Sequence, residues 1–156
     1  SPSRSNRDRE GRRQVITHIG TTWGAIEPDS ALNWLATQPA ELTSDGVAGA
    51  YNSWAAVDAI GLREWVDSQP VSAAMDQARL SLADAVAESD ITSSITLAFG
   101  LSSRSSRDDA VARYFHEWRK VDDASAQDWL QQSWNSLAAT TQQRLTREMS
   151  RQVVAR

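Results

Sequence analysis

The stretch WAAVDAIGLREWVDSQP, residues 54–70, decides the fold because its pattern occurs four times in the chain. Counted from Trp54, an acid falls at offset +4, an apolar residue at +8 and a second tryptophan at +11. Residues 23–34 and 118–129 repeat this pattern, and residues 86–97 carry a fainter copy without tryptophan. Six of the seven tryptophans lie at offset 0 or +11. A recurrence of this length is typical of repeat architectures.

We call the residue at offset 0 the anchor of its unit; the anchors are Trp23, Trp54, Val86 and Trp118. Before each anchor, apolar residues recur at steps of three and four, as Val111, Tyr114 and Phe115 do before Trp118. This spacing places them on one face of a helix and predicts that the anchor lies near the end of a first, half-buried helix.

The acid at offset +4 predicts the start of a second helix in each unit. Asp58, Asp90 and Asp122 are good N-cap residues, because a short carboxylate can accept the free N–H groups of a first turn. Glu27 is a weaker cap, but Pro28 after it suits the first helical position. Apolar residues around offsets +8 and +11 then face inward. Proline ends the second helix of the first two units.

These patterns predict an all-α fold, an α-solenoid of about four αα-hairpins with a period of 31–32 residues and a C-terminal capping helix. The units are expected near residues 12–39, 40–71, 72–103 and 104–133, with the cap at 134–156. Together they form a single helical-repeat domain, 12–156. Residues 1–11 are expected to be a flexible basic arm, and residues 100–109, rich in Ser and Arg, a loop.

The repeat resembles the tetratricopeptide-like and HEAT-like helical repeats. It is most similar to the Trp-Ala-x-x-Asp-Pro-x-x-Ala-x-x-Trp repeats of large bacterial proteins. The resemblance rests on residues of the first, second and fourth units: Trp23, Glu27, Pro28, Ala31, Trp34; Trp54, Ala55, Asp58, Trp65; Trp118, Asp122, Ala126, Trp129. It covers about residues 12–133. It implies scaffolding or partner binding and transfers no catalytic residue to this chain.

Composition narrows the functional class without identifying a partner. The 156 residues contain no cysteine, which excludes thiol catalysis and disulfides, and no apolar run long enough for a membrane helix. The bacterial periplasm and the cytoplasm are both compatible compartments. The two ends are basic and the middle is acidic, although the net charge is only −4. Nucleic acid is therefore not an expected partner; salt-sensitive binding through the N-terminal arm is the alternative.

No catalytic constellation can be read from the sequence, and we expect no enzyme activity, metal or cofactor. His18 and His116 lie in different units, and no metal-ligand spacing, phosphate loop or nucleophile motif occurs. The tryptophans and the acids at +4 are interpreted as structural residues of the repeat: Trp23, Trp34, Trp54, Asp58, Trp65, Asp90, Trp118, Asp122 and Trp129. A sugar-binding platform of exposed tryptophans is the alternative.

One polar face recurs in all four units, at two, five and nine residues before each anchor. Steps of three and four keep these positions on one side of the first helix. The candidate partner-binding residues on this face, the polar stripe, are His18, Thr21, Asp45, Asn52, Gln77, Asp84, Arg113 and His116. The alternative is that the stripe is only the solvated face that any surface helix needs.

The sequence thus predicts a non-enzymatic protein–protein interaction scaffold, which binds a peptide or protein through the polar stripe. The alternative is a structural or self-associating segment of a larger bacterial repeat protein. That alternative is motivated by the Ser-Pro start in place of Met.

Overall fold

The computed structural model describes residues 3–152, and these residues form eight α-helices and two short 3-10 helices, with no strand in that range. The all-α prediction is therefore confirmed. The α-helices are α1 (Arg4–Gly24), α2 (Pro28–Ala36), α3 (Ser44–Val57), α4 (Ala59–Asp67), α5 (Ala73–Val86), α6 (Ile91–Phe99), α7 (Arg104–Ser133) and α8 (Ala139–Met149); the 3-10 helices are Ala40–Leu42 and Trp134–Ser136.

The four acids at offset +4 share one backbone conformation. Their φ angles lie between −155° and −137°, and their ψ angles between 74° and 82°. Glu27, Asp58 and Asp90 each stand between two helices, while Asp122 is the one non-helical residue inside the long α7 and kinks it. Each of these positions therefore separates one helical segment from the next.

Three of these acids cap the segment that follows. Asp58 accepts a hydrogen bond from the backbone N–H of Gly61 at 2.9 Å, Asp90 from that of Ser93 at 3.2 Å and Asp122 from that of Ser125 at 3.1 Å. The Glu27 side chain caps nothing, and Pro28 opens α2 instead. The short aspartate fits the first turn, whereas the longer glutamate does not.

Small residues bring α1 and α3 close together. Gly24 lies so near Ala50 that a Cβ on the glycine would stand 2.6 Å from the Ala50 Cα. One turn earlier, a Cβ on Gly20 would stand 2.9 Å from the carbonyl oxygen of Gly46. Helix separation follows the size of the side chains at the crossing, so this pair packs almost backbone to backbone.

The packing changes along the chain. α1 packs on α3 and α3 on α5, but α7 packs mainly on α6, which lies against α5. The buried residue four positions before the anchor grows from Ala50 to Leu82 to Tyr114. The Tyr114 hydroxyl donates to Asp84 near the end of α5. A larger side chain at this offset favours a wider separation of neighbouring helices than a small one does.

The last helix is held to α7 by buried charged groups. Arg119 of α7 is buried and donates to the backbone carbonyl oxygens of Glu148 at 2.8 Å and Arg151 at 3.3 Å. Nδ1 of His116 lies 2.6 Å from Oε1 of Glu148, close enough for an ion pair although the approach is not aligned for a hydrogen bond. These groups fix the C-terminal turn of α8, whose carbonyls have no partner within the helix.

Two sequence expectations about irregular segments are corrected. α1 begins at Arg4, so residues 4–11 of the expected flexible arm are helical, although their side chains are all exposed. The expected loop at 100–109 is only four residues long, because Ser103 caps α7 by accepting from Ser106 N–H. The predicted capping segment contains Trp134–Ser136 and α8; residues 1–2 and 153–156 lie outside the described part.

None of the helices within residues 3–152 combines the length and the apolar character that crossing a membrane requires.

Candidate functional site

The residues of the polar stripe do not lie together at one site in the structure. His18 and Thr21 of α1 and Asp45 of α3 line one shallow hollow of about 380 Å³. Thr21 also fills the space beside Gly49, where a Cβ would stand 1.9 Å from the Thr21 hydroxyl oxygen. Part of the stripe therefore serves the contact between α1 and α3.

The other stripe residues divide between contacts within the fold and an open groove. Asn52 is exposed, and Gln77 donates to the Ser81 hydroxyl one turn away at 3.0 Å. His116 turns toward Glu148 on α8. Only Asp84 and Arg113 meet across two helices, at the edge of the groove described next.

A groove with a volume of about 620 Å³ lies between the α5–α6 turn and α7. From the first side it is lined by Asp84, Ala87, Glu88, Ser89 and Ile91, and from α7 by Arg113, Tyr114, Glu117, Trp118, Val121 and Asp122.

One wall of the groove is a fixed network of three polar side chains. The Tyr114 hydroxyl donates to Oδ1 of Asp84 at 2.6 Å, and Nη1 of Arg113 donates to the same oxygen at 3.1 Å. The Arg113 guanidinium also lies over the Tyr114 ring, 4.7 Å from its centroid. Burial, and then the neighbouring Asp84 carboxylate, raise the pKa of Tyr114 far above its usual value, so its hydroxyl stays protonated.

The apolar lining residues Trp118, Val121 and Ile91, which we call the floor of the groove, are partly open to solvent. Val121 is 71% exposed, and Trp118 and Ile91 beside it are half-buried. The Trp118 ring is supported from behind by Trp129 of the same helix, with ring centroids 6.1 Å apart at 48°. Exposed apolar surface beside ordered polar groups is the usual composition of a recognition site.

Carboxylates dominate the charged part of the lining, which we call the rim. Asp84, Glu88, Glu117 and Asp122 face a single cation, Arg113, among the lining residues. Asp84 is engaged by Arg113, and Glu117 accepts from Lys120 at 2.7 Å. The exposed Glu88 carboxylate makes no hydrogen bond or ion pair with any residue between 3 and 152. The groove is therefore an apolar cleft with an acidic edge.

The polar stripe predicted from the sequence includes Asp84 and Arg113 but no other residue of the groove lining. Trp118 and Asp122 were predicted only as structural residues of the repeat, and no role was predicted for Val121 or Glu88. Two features of the sequence could have indicated the groove. The third unit has Val86 and Leu97 in place of its tryptophans, and Tyr114 stands where the second unit has Ala50.

The tryptophans of the repeat pair within their units. The ring centroids of Trp23 and Trp34 are 6.2 Å apart, and those of Trp54 and Trp65 are 5.4 Å apart, with the rings tilted as in the Trp118–Trp129 pair. Trp54 is buried and the other members of these pairs are half-buried. Each pair ties the first helical segment of its unit to the second.

A second cleft, of about 400 Å³, lies between the start of α7 and the start of α8. Its lining includes the basic residues Arg104 and Arg107 and the aromatic residues Phe99 and Trp129. Arg107 is already engaged, since its guanidinium donates to the Leu101 carbonyl at 2.9 Å. Across residues 3–152, His, Asp and Glu side chains nowhere gather in a group of three suited to a metal ion.

Comparison with protein-family models, with curated proteins and with solved structures found no match to this chain.

Proposed function

We propose that this protein is a non-enzymatic interaction module that binds a peptide segment of a partner protein in the groove between the α5–α6 turn and α7. The observation that carries the proposal is the half-buried Trp118 and exposed Val121 beside the fixed Asp84–Arg113–Tyr114 network. Apolar surface supplies binding energy, while ordered polar groups select orientation. The groove includes Asp84 and Arg113 of the polar stripe but relies on residues outside it.

We further propose that the paired helical segments stack as an α-solenoid of the tetratricopeptide-like or HEAT-like kind. The repeated backbone conformation at the four acids and the packing of α1 on α3 and α3 on α5 support this arrangement. Solenoids present extended surfaces for partners, which agrees with a binding role.

Selection from a random peptide display library tests the binding role, since the partner need not be known. The groove variant is Val121→Glu, which places a charge on the floor. Its matched control is Val57→Glu, at the same offset in the second unit and 67% exposed, but outside the groove. Both substitutions are on exposed side chains, so both variants should fold, as circular dichroism can verify.

We expect peptides selected on the unmodified protein to bind the Val57→Glu variant equally and to lose about tenfold or more in affinity for the Val121→Glu variant, about 1.4 kcal/mol. Failure to enrich any peptide, or equal binding to both variants, contradicts the proposal.

Self-association is the second candidate function, favoured by opposite charges on exposed surfaces. The first turns of α1 contain five arginines, of which all but the half-buried Arg13 are exposed: Arg4, Arg7, Arg9, Arg12 and Arg13. The exposed acids at offset +4 could receive them from a second copy. Light scattering over a range of protein and salt concentrations tests this candidate, which predicts a larger mass at low salt. A constant monomer mass excludes it.

A further inference from the structure

Given the peptide-binding role proposed above, on which this inference rests, we propose that the groove selects segments in which a large apolar side chain is flanked by lysine or arginine. The groove is large enough for one or two side chains, and its floor offers the Trp118 ring, Ile91 and Val121 as contacts. A large aliphatic or aromatic residue would bury this surface, whereas a small or polar one would leave it wet.

The negative charge of the rim determines which residues can flank the apolar side chain of the peptide. Arg113, the one cation among the lining residues, is neutralised by Asp84 at 3.1 Å. Glu88, Glu117 and Asp122 remain around the mouth, and Lys120 compensates only Glu117. The uncompensated edge attracts cations and repels carboxylates on an incoming segment.

Glu88 is the residue that a flanking cation would meet. Its carboxylate is exposed and has no partner within residues 3–152, so it can form an ion pair without breaking a contact of the fold. Asp122 differs, because it already accepts from the Ser125 N–H at 3.1 Å and from the Ser125 hydroxyl at 2.6 Å. A change at Glu88 therefore probes the partner, whereas a change at Asp122 would also disturb the helix cap.

The test measures binding of four fluorescent synthetic peptides by anisotropy. One has a central leucine–tryptophan pair flanked by arginines, one has glutamates in place of the arginines, one has glutamines there, and one keeps the arginines but replaces the apolar pair by serines. The protein carries Glu88→Arg, or the control Glu64→Arg, an exposed glutamate of α4 outside the groove.

We expect only the arginine-flanked apolar peptide to bind tightly, with affinity that falls as salt rises. Glu88→Arg should weaken it about tenfold, and Glu64→Arg by less than about twofold. Equal binding of the glutamate-flanked peptide, full binding of the peptide without its apolar pair, or equal loss in the two protein variants overturns the inference.

The library separates this inference from the broader proposal. If groove-dependent peptides emerge without lysine or arginine beside their apolar residue, the charge selection is wrong while the peptide-binding role stands. If no selected peptide is sensitive to Val121→Glu, the peptide-binding role itself fails.

Discussion

At the residue scale, the absence of a side chain at Gly24 permits a close contact between the backbones of α1 and α3. A Cβ there would meet the backbone of Ala50, which cannot rotate away as a flexible side chain could. Gly11, in the same helix, is the opposite case, since nothing lies within 4 Å of the position of its Cβ. The two glycines therefore separate the effect of packing from that of helix propensity.

We predict that Gly24→Ala destabilises the protein by about 1–3 kcal/mol, because α1 and α3 must move apart. Gly11→Ala should be neutral or stabilising by up to about 1 kcal/mol, since alanine favours the helix. Urea unfolding followed by circular dichroism measures both. A Gly24→Ala variant as stable as Gly11→Ala would mean that the helices are not in close contact.

The capping aspartates should give the stability a defined pH dependence. Hydrogen bonds from the hydroxyl groups of Ser93 and Thr92 and from the Ser93 N–H hold the pKa of Asp90 below its usual 3.8. The Ser125 hydroxyl and N–H do the same for Asp122. A lowered pKa in the folded state stabilises the fold above the unfolded pKa, and this contribution is lost as pH falls through the folded value.

The double substitution Asp90→Asn/Asp122→Asn keeps a capping oxygen but removes the titration. We predict that, between about pH 5 and about pH 2, the free energy of unfolding falls less steeply in this variant than in the unmodified protein. Urea unfolding at several pH values gives the comparison. Identical slopes would show that the two carboxylates are not the acid-sensitive groups.

At the element scale, a buried arginine of α7 helps to hold α8. Arg119 donates to the backbone carbonyls of Glu148 and Arg151 and also to Oδ1 of Asp123 at 2.8 Å. From the sequence alone, an arginine directly after the Trp118 anchor would be expected at the surface. A buried charge needs hydrogen-bond partners, and two of the partners of Arg119 lie more than two dozen residues later in the chain. No local sequence pattern predicts contacts at that distance.

We predict that Arg119→Met lowers the free energy of unfolding by about 2–3 kcal/mol, because methionine fills the space but removes the donor that the Glu148 and Arg151 carbonyls share. Amide hydrogen exchange in α8 should accelerate more than in α3. Arg147→Met, on the exposed face of α8, is the matched control and should change little. Unchanged protection of α8 in the Arg119 variant would refute its role in holding the helix.

The helices themselves could be predicted because their determinants are local. The acids at offset +4, the apolar spacing and Pro28 each act within one or two turns, so the helix starts at residues 28, 59 and 91 follow from the sequence. The starts of α1 and α7 did not follow. Arginine-rich and serine-rich composition suggests disorder, yet Ser103 supplies a cap and the exposed turns of α1 extend a helix that is anchored further along.

At the scale of the whole molecule, the exposed first turns of α1 should be dispensable for folding. All side chains from Ser3 to Arg12 are exposed, and a helical segment of this length has little stability of its own. We predict that deletion of residues 1–11 changes the melting temperature by less than about 2 °C. It should also leave peptide binding in the groove unchanged. A large loss of stability would reveal a contact made by this segment.

The groove is a property of the whole molecule, which explains why the sequence did not predict its floor. Its lining combines residues of α5, of the α5–α6 turn and of α7, and the hydrogen bond from Tyr114 to Asp84 joins two of these elements. The repeat pattern makes the four units look equivalent. The groove lies where the units differ in sequence. The third unit has Val86 as its anchor in place of tryptophan, and the fourth unit has Tyr114 four residues before its anchor.

The bond between the Tyr114 hydroxyl and Asp84 has a consequence for the entropy of association. Because it joins α7 to α5 before any partner arrives, the width of the groove and the rotamers of one wall are already settled. A peptide that binds there loses its own conformational entropy, but few side chains of the protein have to become ordered. In Tyr114→Phe, which lacks the hydroxyl, calorimetry should show a more unfavourable binding entropy, because the partner would have to restore the alignment itself.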